Sequence, residues 1–399
     1  MRTALLTYDY PPWPSGLSTA AREIAEGLTE AGADVTVFTL GHRRQETEGP
    51  IAILGCAPAP AGRLAALRRW GSVGHLAAPI AFRNAVLAEH RRRPFAVVEA
   101  TNWYAPASAL AFRAPMALVT RNSTPAAFSR DPATTLRDRL DQAAADRLER
   151  AQARASDGLI SNTADHARRI AAEYGLAEGG QPDSVPHAII GLSLPPEVIR
   201  RGREAAYPAG GAGLRLLFVG RAEHRKGFDA LMAAMAILSA EADAGRLPPF
   251  ELRLAGVDEA ALPDDLCAAA RRRLRPLGAV SDADLAAEYA GAHAVVAPSR
   301  YESFGLVYQE AIAYGRPIVA SAEDASARAF VGDTGAGLLA AKTTGAALAE
   351  ALRPVLLDPA VRARLRERAG LAAGRFTRQT LGQETLALYE AAIERYQQR

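Results

Sequence analysis

The chain has 399 residues, 49% hydrophobic and 23% charged, the balance of a soluble globular protein long enough for two or three domains. A net charge of +3 gives no reason to expect nucleic acid as a partner, and two cysteines, Cys56 and Cys267, cannot build a disulfide framework or a cysteine metal cluster, so a cytoplasmic setting is expected. There is no run of about 18 apolar residues to span a membrane, and the apolar run at residues 4–7 is too short for a signal peptide.

Residues 2–8 read as a strand, and the prolines after Asp9 keep the next stretch out of a helix. Ser18 is placed to cap a helix whose apolar positions Ala21, Ile24, Ala25 and Leu28 recur at helical spacing. Gly32 ends it, and residues 35–40 form a second strand. The spacing Gly-x-Gly-x-x-Gly is missing, which disfavours NAD. Gly16 either admits a phosphate or sugar beside the helix N-terminus or is a plain turn glycine.

Residues 63–90 read as helical, with Arg68, Arg69, Arg91, Arg92 and Arg93 making basic spots beside Trp70, Leu76 and Phe82. Peripheral contact with an anionic membrane surface or a phosphorylated acceptor is one reading; solvated helix faces are the favoured one. Strands at 95–99 and 116–120 each run into a polar stretch, Asn102-Trp103-Tyr104 and Arg121-Asn122-Ser123, at the edge where open α/β sheets bind ligands. Residues 137–155 form a long charged helix, in which Asp141, Asp146 and Glu149 are expected to pair with its arginines. A strand at 158–161, a helix starting at Asn162 or Thr163 and a strand at 183–190 complete the first half. Residues 191–213, rich in proline and glycine, read as a linker between domains.

The second half restarts with a strand at 214–219 and then Gly220, two spaced cations, Arg221 and Lys226, and Gly227 before a helix at 228–238. That pattern suits a pyrophosphate, although an ordinary charged loop fits too, and it is not a Walker A loop. Strands follow at 250–255 and 277–280. Ser281 caps the next helix and places Asp282 and Asp284 at its positive end, so no metal site is expected. Residues 292–321 then read as strand, loop, helix and strand. The amides of Phe304, Gly305, Leu306 and Val307 fall in the first turn, where they lack intrahelical acceptors and make an anion site. Glu302 before that turn and Glu310 within the helix are carboxylates able to take paired sugar hydroxyls. The alternative is a buried βαβ unit with two solvated glutamates. A strand at 335–340, helices at 346–357 and 361–372, and a long helix at 379–398 end the chain.

Taken in order, Gly220-Arg221 with Lys226-Gly227, Val280-Ser281 with Leu285, Pro298-Ser299 with Glu302-Ser303-Phe304-Gly305-Leu306 and Glu310, and Gly315 with Pro317-Ile318-Val319-Ala320 resemble the family-4 retaining glycosyltransferases. The second half matches nearly throughout and the first half more loosely. The resemblance implies an α/β protein of the GT-B architecture: two Rossmann-like domains facing across a cleft, residues 1–195 binding acceptor, residues 196–375 binding a nucleotide-sugar, and a helix at 376–399 crossing back to the first domain.

It further implies a metal-independent transfer from a nucleoside-diphosphate-sugar, with no cofactor, to an acceptor it does not name. By motif matching, Arg221 and Lys226 hold the diphosphate and Glu302 the donor sugar. Ser303, Phe304, Gly305 and Leu306 support the phosphates, Glu310 takes the ribose, the backbone near Val280 meets the base, and Gly16 sits by the diphosphate. The alternative is a non-catalytic nucleotide-sugar-binding protein of the same fold. Three departures stand out: a single glycine, Gly16, where the family often has two, Ser123 where it often has histidine, and Ala325-Ser326 in place of a Gly-Gly.

Overall fold

The computed structural model describes residues 1–13, 15–42, 45–57, 63, 66, 71–130, 132–176, 185–209 and 213–399. The chain divides into two compact units, Met1–Ser193 with Phe376–Arg399, and Leu194–Arg375.

In the first unit β1 (Arg2–Thr7), β2 (Asp34–Thr39), β3 (Gln45–Glu48), β4 (Ile51–Gly55), β5 (Val97–Thr101), β6 (Ala117–Asn122), β7 (Gly158–Ser161) and β8 (His187–Ile189) form one sheet. Its order is β3-β4-β2-β1-β5-β6-β7-β8, parallel except for β3, which runs antiparallel to β4. β1 sits at the centre with Leu5 paired to Val37 on one side and Glu99 on the other. Its residues from Thr3 to Thr7 are buried, as expected of a strand covered by helices on both faces. Strands β3 and β4 have no counterpart in the sequence reading.

Around this sheet lie α1 (Gly16–Glu30), α2 (Ala77–Arg92), α3 (Leu136–Ala155) and α4 (Ala164–Tyr174). α1 begins earlier than expected: the Ser15 hydroxyl, not that of Ser18, is the cap, and it accepts the Ser18 amide at 3.1 Å. Ser18 falls in the first turn, where its own amide is the donor that needs a partner. Arg68, Arg69 and Trp70 lie outside the described residues. Of their proposed apolar companions, Phe82 is fully buried in the core and faces no membrane. The acids of α3 do not pair along the helix. Asp146 reaches Arg130 at 2.6 Å, Asp141 reaches His75 at 3.1 Å, and Glu149 turns inward.

The C-terminal helix, Arg378–Gln397, belongs to this unit and packs on α1. Arg378 pairs with the buried Glu23, and Arg121 of β6 binds Glu99 of β5 and Thr385 of the helix. Gly382 meets Gly27 of α1 so closely that a β-carbon would run into the Gly27 carbonyl oxygen. Gly382→Ala is therefore expected to destabilise the protein by about 1–3 kcal/mol in urea denaturation. Alanine's helix propensity alone predicts a gain of about 1 kcal/mol, so the sign separates the two effects.

In the second unit β9 (Leu214–Val219), β10 (Phe250–Ala255), β11 (Leu274–Gly278), β12 (Ala294–Ala297), β13 (Ile318–Ser321) and β14 (Gly337–Ala340) make an all-parallel sheet in the order β11-β10-β9-β12-β13-β14. The helices are α5 (Pro196–Glu204), α6 (Phe228–Asp243), α7 (Asp282–Gly291), α8 (Leu306–Ala313), α9 (Gly345–Leu357) and α10 (Pro359–Ala372). Phe218, Leu231, Met235, Leu252, Leu254, Val296 and Leu352 form its core. The expected linker at 191–213 is in part a helix. Pro196 occupies the first helical position of α5, where its missing amide costs nothing, and Glu197 pairs with Arg200 and Arg201 a turn later. Gly210 and Gly211 lie outside the described residues. Strand order reverses between β9 and β12, and such sheets bind ligands beyond the strand C-termini at that reversal.

Candidate functional site

The loops leaving β9 and β12 meet at this reversal. After β9, Gly227 takes φ +70° and passes so close to the Pro298 carbonyl that no side chain fits. This sets Lys226 beside the loop after β12. Lys226 Nζ donates to Glu302 Oε1 at 2.6 Å, Arg225 Nη1 donates to Oε2 at 3.3 Å, and the Ser299 hydroxyl donates to Oε1 at 2.7 Å. Glu302 is 9% exposed. Burial alone would raise its pKa, but Lys226, Arg225 and the Ser299 hydrogen bond outweigh it and hold the carboxyl below its ordinary value.

Asp324, beyond β13, accepts the Glu302 amide at 2.9 Å and the Tyr308 hydroxyl at 2.9 Å, fixing the loop. Burial, with the Glu302 charge adding to it, pushes Asp324 up to about 6.

Gly305 precedes α8 with φ +85°, and a side chain there would strike the Tyr308 ring. The amides of Leu306 and Val307 in the first turn have no intrahelical acceptor and carry the positive end of the helix dipole. Glu310 lies one turn further on. Burial raises its pKa; the Tyr289 hydroxyl, donating to Oε2 at 2.5 Å, and the field of Lys226 oppose that rise. Two cations, free helix amides and two carboxylates thus converge in the second unit, an arrangement that can grip a diphosphate and accept sugar hydroxyls together.

Among the expected residues, Lys226, Glu302, Ser303, Phe304, Gly305, Leu306 and Glu310 share this edge. Arg221 is on the same loop, but its side chain is 77% exposed and, among the described residues, reaches only Glu223, at 2.8 Å. Glu223 in turn carries Arg225 on its other oxygen at 3.3 Å. Val280 follows β11 at the same end of the sheet and leads into Ser281, which caps α7 by accepting the Asp284 amide. Gly16 lies in the first unit, at the start of α1. A β-carbon there would meet nothing within 4 Å, so packing does not require glycine. Sequence reasoning missed Arg225, Tyr289 and Asp324. Asp324 follows a strand C-terminus, which is the one signal that points to it; the role of Tyr289 depends on how α7 packs.

Two family models match the chain: "Glycosyl transferases group 1" over residues 207–371 and "Glycosyl transferase 4-like domain" over residues 15–181. The chain belongs to the family-4-type glycosyltransferases. It is 29% identical to the D-inositol 3-phosphate glycosyltransferase of Kineococcus radiotolerans, over 95% of this chain and 91% of that one. It is 36% identical to the enzyme of that name from Catenulispora acidiphila, over 60% of this chain and 58% of the other's length. Sucrose-phosphate synthase from Thermosynechococcus elongatus shares the fold with a TM-score of 0.71, at 22% identity and 98% coverage of both chains. HepE of Anabaena, crystallised with UDP and glucose, does so with a TM-score of 0.63, at 19% identity and coverage of 98% of this chain and all of HepE.

In this glycosyltransferase the first unit carries a second polar cluster, beyond the C-termini of β5 and β6. Ser123 donates its amide and its hydroxyl to Asn102 Oδ1, at 2.7 and 2.9 Å. Asn102 Nδ2 donates to the Tyr174 hydroxyl at 2.7 Å, which donates to Glu149 at 2.9 Å. Glu149 also accepts the amides of Tyr104 and Ala126. Tyr104 and the next residue, Ala105, hold left-handed backbone, φ +51° and +45°, which costs a non-glycine residue about 1–2 kcal/mol.

Burial pushes Glu149 up to about 7, from 4.5. The folded chain thus keeps a proton that the unfolded chain has lost, so this stability is present below about pH 4.5 and disappears as pH rises to about 7. Glu149→Gln, a neutral isostere, is expected to remove that loss and to gain on the order of 2–3 kcal/mol on the parent between about pH 5 and pH 8. Urea midpoints of the two proteins that move in parallel with pH would contradict this.

Among the described residues, no helix is long and apolar enough to cross a membrane.

Proposed function

We propose that this glycosyltransferase binds a nucleoside-diphosphate-sugar in its second unit and transfers the sugar, with retention and without a metal ion, to an acceptor bound by its first unit in the cytoplasm. The observation that carries the reading is the convergence of Lys226, Arg225, Glu302, Glu310 and the start of α8 at the strand reversal. Lys226 and Arg225 are paired to Glu302, and an arriving diphosphate draws on the same cations. Glu302 is then left to accept hydroxyls of the donor sugar. Arg221, exposed at the loop end, closes on the phosphates from the solvent side. The amides of Ser303, Phe304, Gly305 and Leu306 line the phosphate path, Glu310 takes the ribose hydroxyls, and the backbone at Val280 meets the base. Gly16, where packing asks for no glycine, leaves room for phosphate at the start of α1.

As the leaving group gains charge, these fixed positive groups stabilise it without reorganisation. The acceptor hydroxyl attacks the anomeric carbon from the face the diphosphate leaves and passes its proton to a leaving-phosphate oxygen. HepE was crystallised with UDP and glucose, which makes UDP the first nucleotide to test. UDP or another nucleoside diphosphate is expected to raise the thermal midpoint of the purified chain. The matching nucleotide-sugar is expected to turn over in EDTA with the donor's anomeric configuration kept in the product. Failure of every nucleoside diphosphate to shift the midpoint would refute the site, and an inverted product would refute retention.

A further inference from the structure

A cavity of about 500 Å³ opens within the second unit, between the end of α5, the turn after α8 and one face of α10. Arg316, in its wall, lies two residues before the first residue of β13. The cavity therefore borders the N-terminal edge of the sheet, opposite the edge that carries Lys226 and Glu302. Its charged lining is Arg203, Arg316, Arg366 and Glu367, an excess of cations.

Arg200, Arg201, Arg253, Arg300 and Arg353 in the same unit each meet a carboxylate. Among the described residues, Arg203, Arg316 and Arg366 have no carboxylate partner. Arg316 is 1% exposed and donates only to the neutral carbonyls of Tyr289, Ala206 and Ala290, each at 2.9 Å. Arg366 and Arg316 both lie against the Tyr207 ring, 3.8 and 5.2 Å from its centroid. Burial pulls Arg316 down to about 10, and the like charge of Arg366 adds to that. Three guanidinium groups against one carboxylate, Glu367, that none of them pairs with make a site for a multiply charged anion, which their planar forks bind in pairs.

The cavity also touches the machinery that holds Glu310. Tyr314 lines it and stacks on Tyr289, with centroids 5.3 Å apart and planes 21° apart. Tyr289 donates its hydroxyl to Glu310 Oε2, and Arg316 Nε binds the Tyr289 carbonyl. A ligand on Arg316 and Tyr314 is thus two side chains away from the carboxylate assigned to the ribose.

We propose that this cavity binds a phosphate group, free or as a sugar phosphate monoester, and that its occupancy alters donor affinity through Tyr314, Tyr289 and Glu310. The second half rests on the donor-site reading above; the first does not. By linkage, whatever factor the anion applies to the nucleotide, the nucleotide applies to the anion.

The test is titration calorimetry on the full chain at constant ionic strength, with inorganic phosphate, a hexose 6-phosphate and UDP as probes. Lys226→Ala blocks the donor site, Arg203→Ala/Arg366→Gln empties the cavity of two cations, and Tyr314→Leu breaks the stack. Arg203→Ala alone, at an exposed position, serves if the double variant fails to fold. The phosphate probes are expected to bind the parent and Lys226→Ala alike and to weaken at least tenfold in the cavity variants. Tighter binding of the hexose 6-phosphate identifies an ester site, and tighter binding of phosphate a free-anion site. The favoured probe, at saturation, is expected to change UDP affinity at least threefold in the parent and not in Tyr314→Leu. Phosphate binding lost in Lys226→Ala places the anion in the donor site and overturns the proposal, as does binding unchanged in the cavity variants. A UDP affinity indifferent to the probe overturns the coupling. If UDP itself does not bind, the coupling falls with the donor reading, while phosphate binding in Lys226→Ala still decides the cavity.

Discussion

Lys226→Ala is expected to lower turnover of the nucleotide-sugar by about 100-fold or more in a protein that remains folded. Its ammonium lies 2.6 Å from Glu302 and its field reaches Glu310, so it is the cation shared by the phosphate end and the sugar end of the inferred donor. Loss of one preorganised charge at a leaving group typically costs about 100-fold or more in rate. The fold should tolerate the change, because Arg225 and Ser299 still hold the Glu302 carboxylate at 3.3 and 2.7 Å.

The substitution also has a pH signature. Glu302 is held below its ordinary pKa in the parent, where burial is outweighed by Lys226 and Arg225. Stability linked to its charge is present above the unfolded value and is lost as pH falls through the folded one. Without Lys226 the burial penalty loses its main opponent, so the acid limb of stability and of residual turnover should move to higher pH. Initial rates of nucleoside diphosphate release, read beside a thermal midpoint at each pH, check both. A folded variant with turnover within threefold of the parent would remove Lys226 from the reaction.

The strands of the second unit were legible because parallel strands buried on both faces are written as short apolar runs; 214–219 and 250–255 coincide with β9 and β10. The turn before α8 was legible because Gly305 and the apolar positions after it leave little choice. Cap identity was less so: Ser15 and Ser18 both suit an N-cap, and only the helix start decides between them. Proline misled at 195–196, since the residue that stops a helix also starts one well. Charge partners were the least legible. A sequence shows that Glu149 lies near arginines along a helix, but its partners are Tyr104, Ala126 and Tyr174, brought together by the sheet. In the same way Arg225 and Lys226 are neighbours in sequence, and only the approach of β12's loop shows that one carboxylate spans both.

Arg121 gives the second large effect. Read along the chain it belongs with Asn122 and Ser123 at the ligand edge. Side chains alternate along a strand, however, and Arg121 points the other way, under the C-terminal helix. Its Nε and Nη2 donate to the two oxygens of Glu99 at 2.7 and 3.1 Å, and Nη2 also reaches Thr385 at 2.8 Å. The Tyr389 hydroxyl supplies Glu99 with one more donor at 2.9 Å. Glu99 is 1% exposed, so Arg121→Ala leaves a buried carboxylate with a single neutral donor. Breaking a buried pair from one side costs about 3–5 kcal/mol, several times the value of an exposed ion pair. Urea denaturation is expected to show that loss, whereas removing both charges together, as Arg121→Met/Glu99→Gln, should recover a large part of it because no unpaired charge remains. Arg121→Ala within about 1 kcal/mol of the parent would mean that Glu99 finds other donors and that the C-terminal helix is held by Glu23–Arg378 and its apolar face instead.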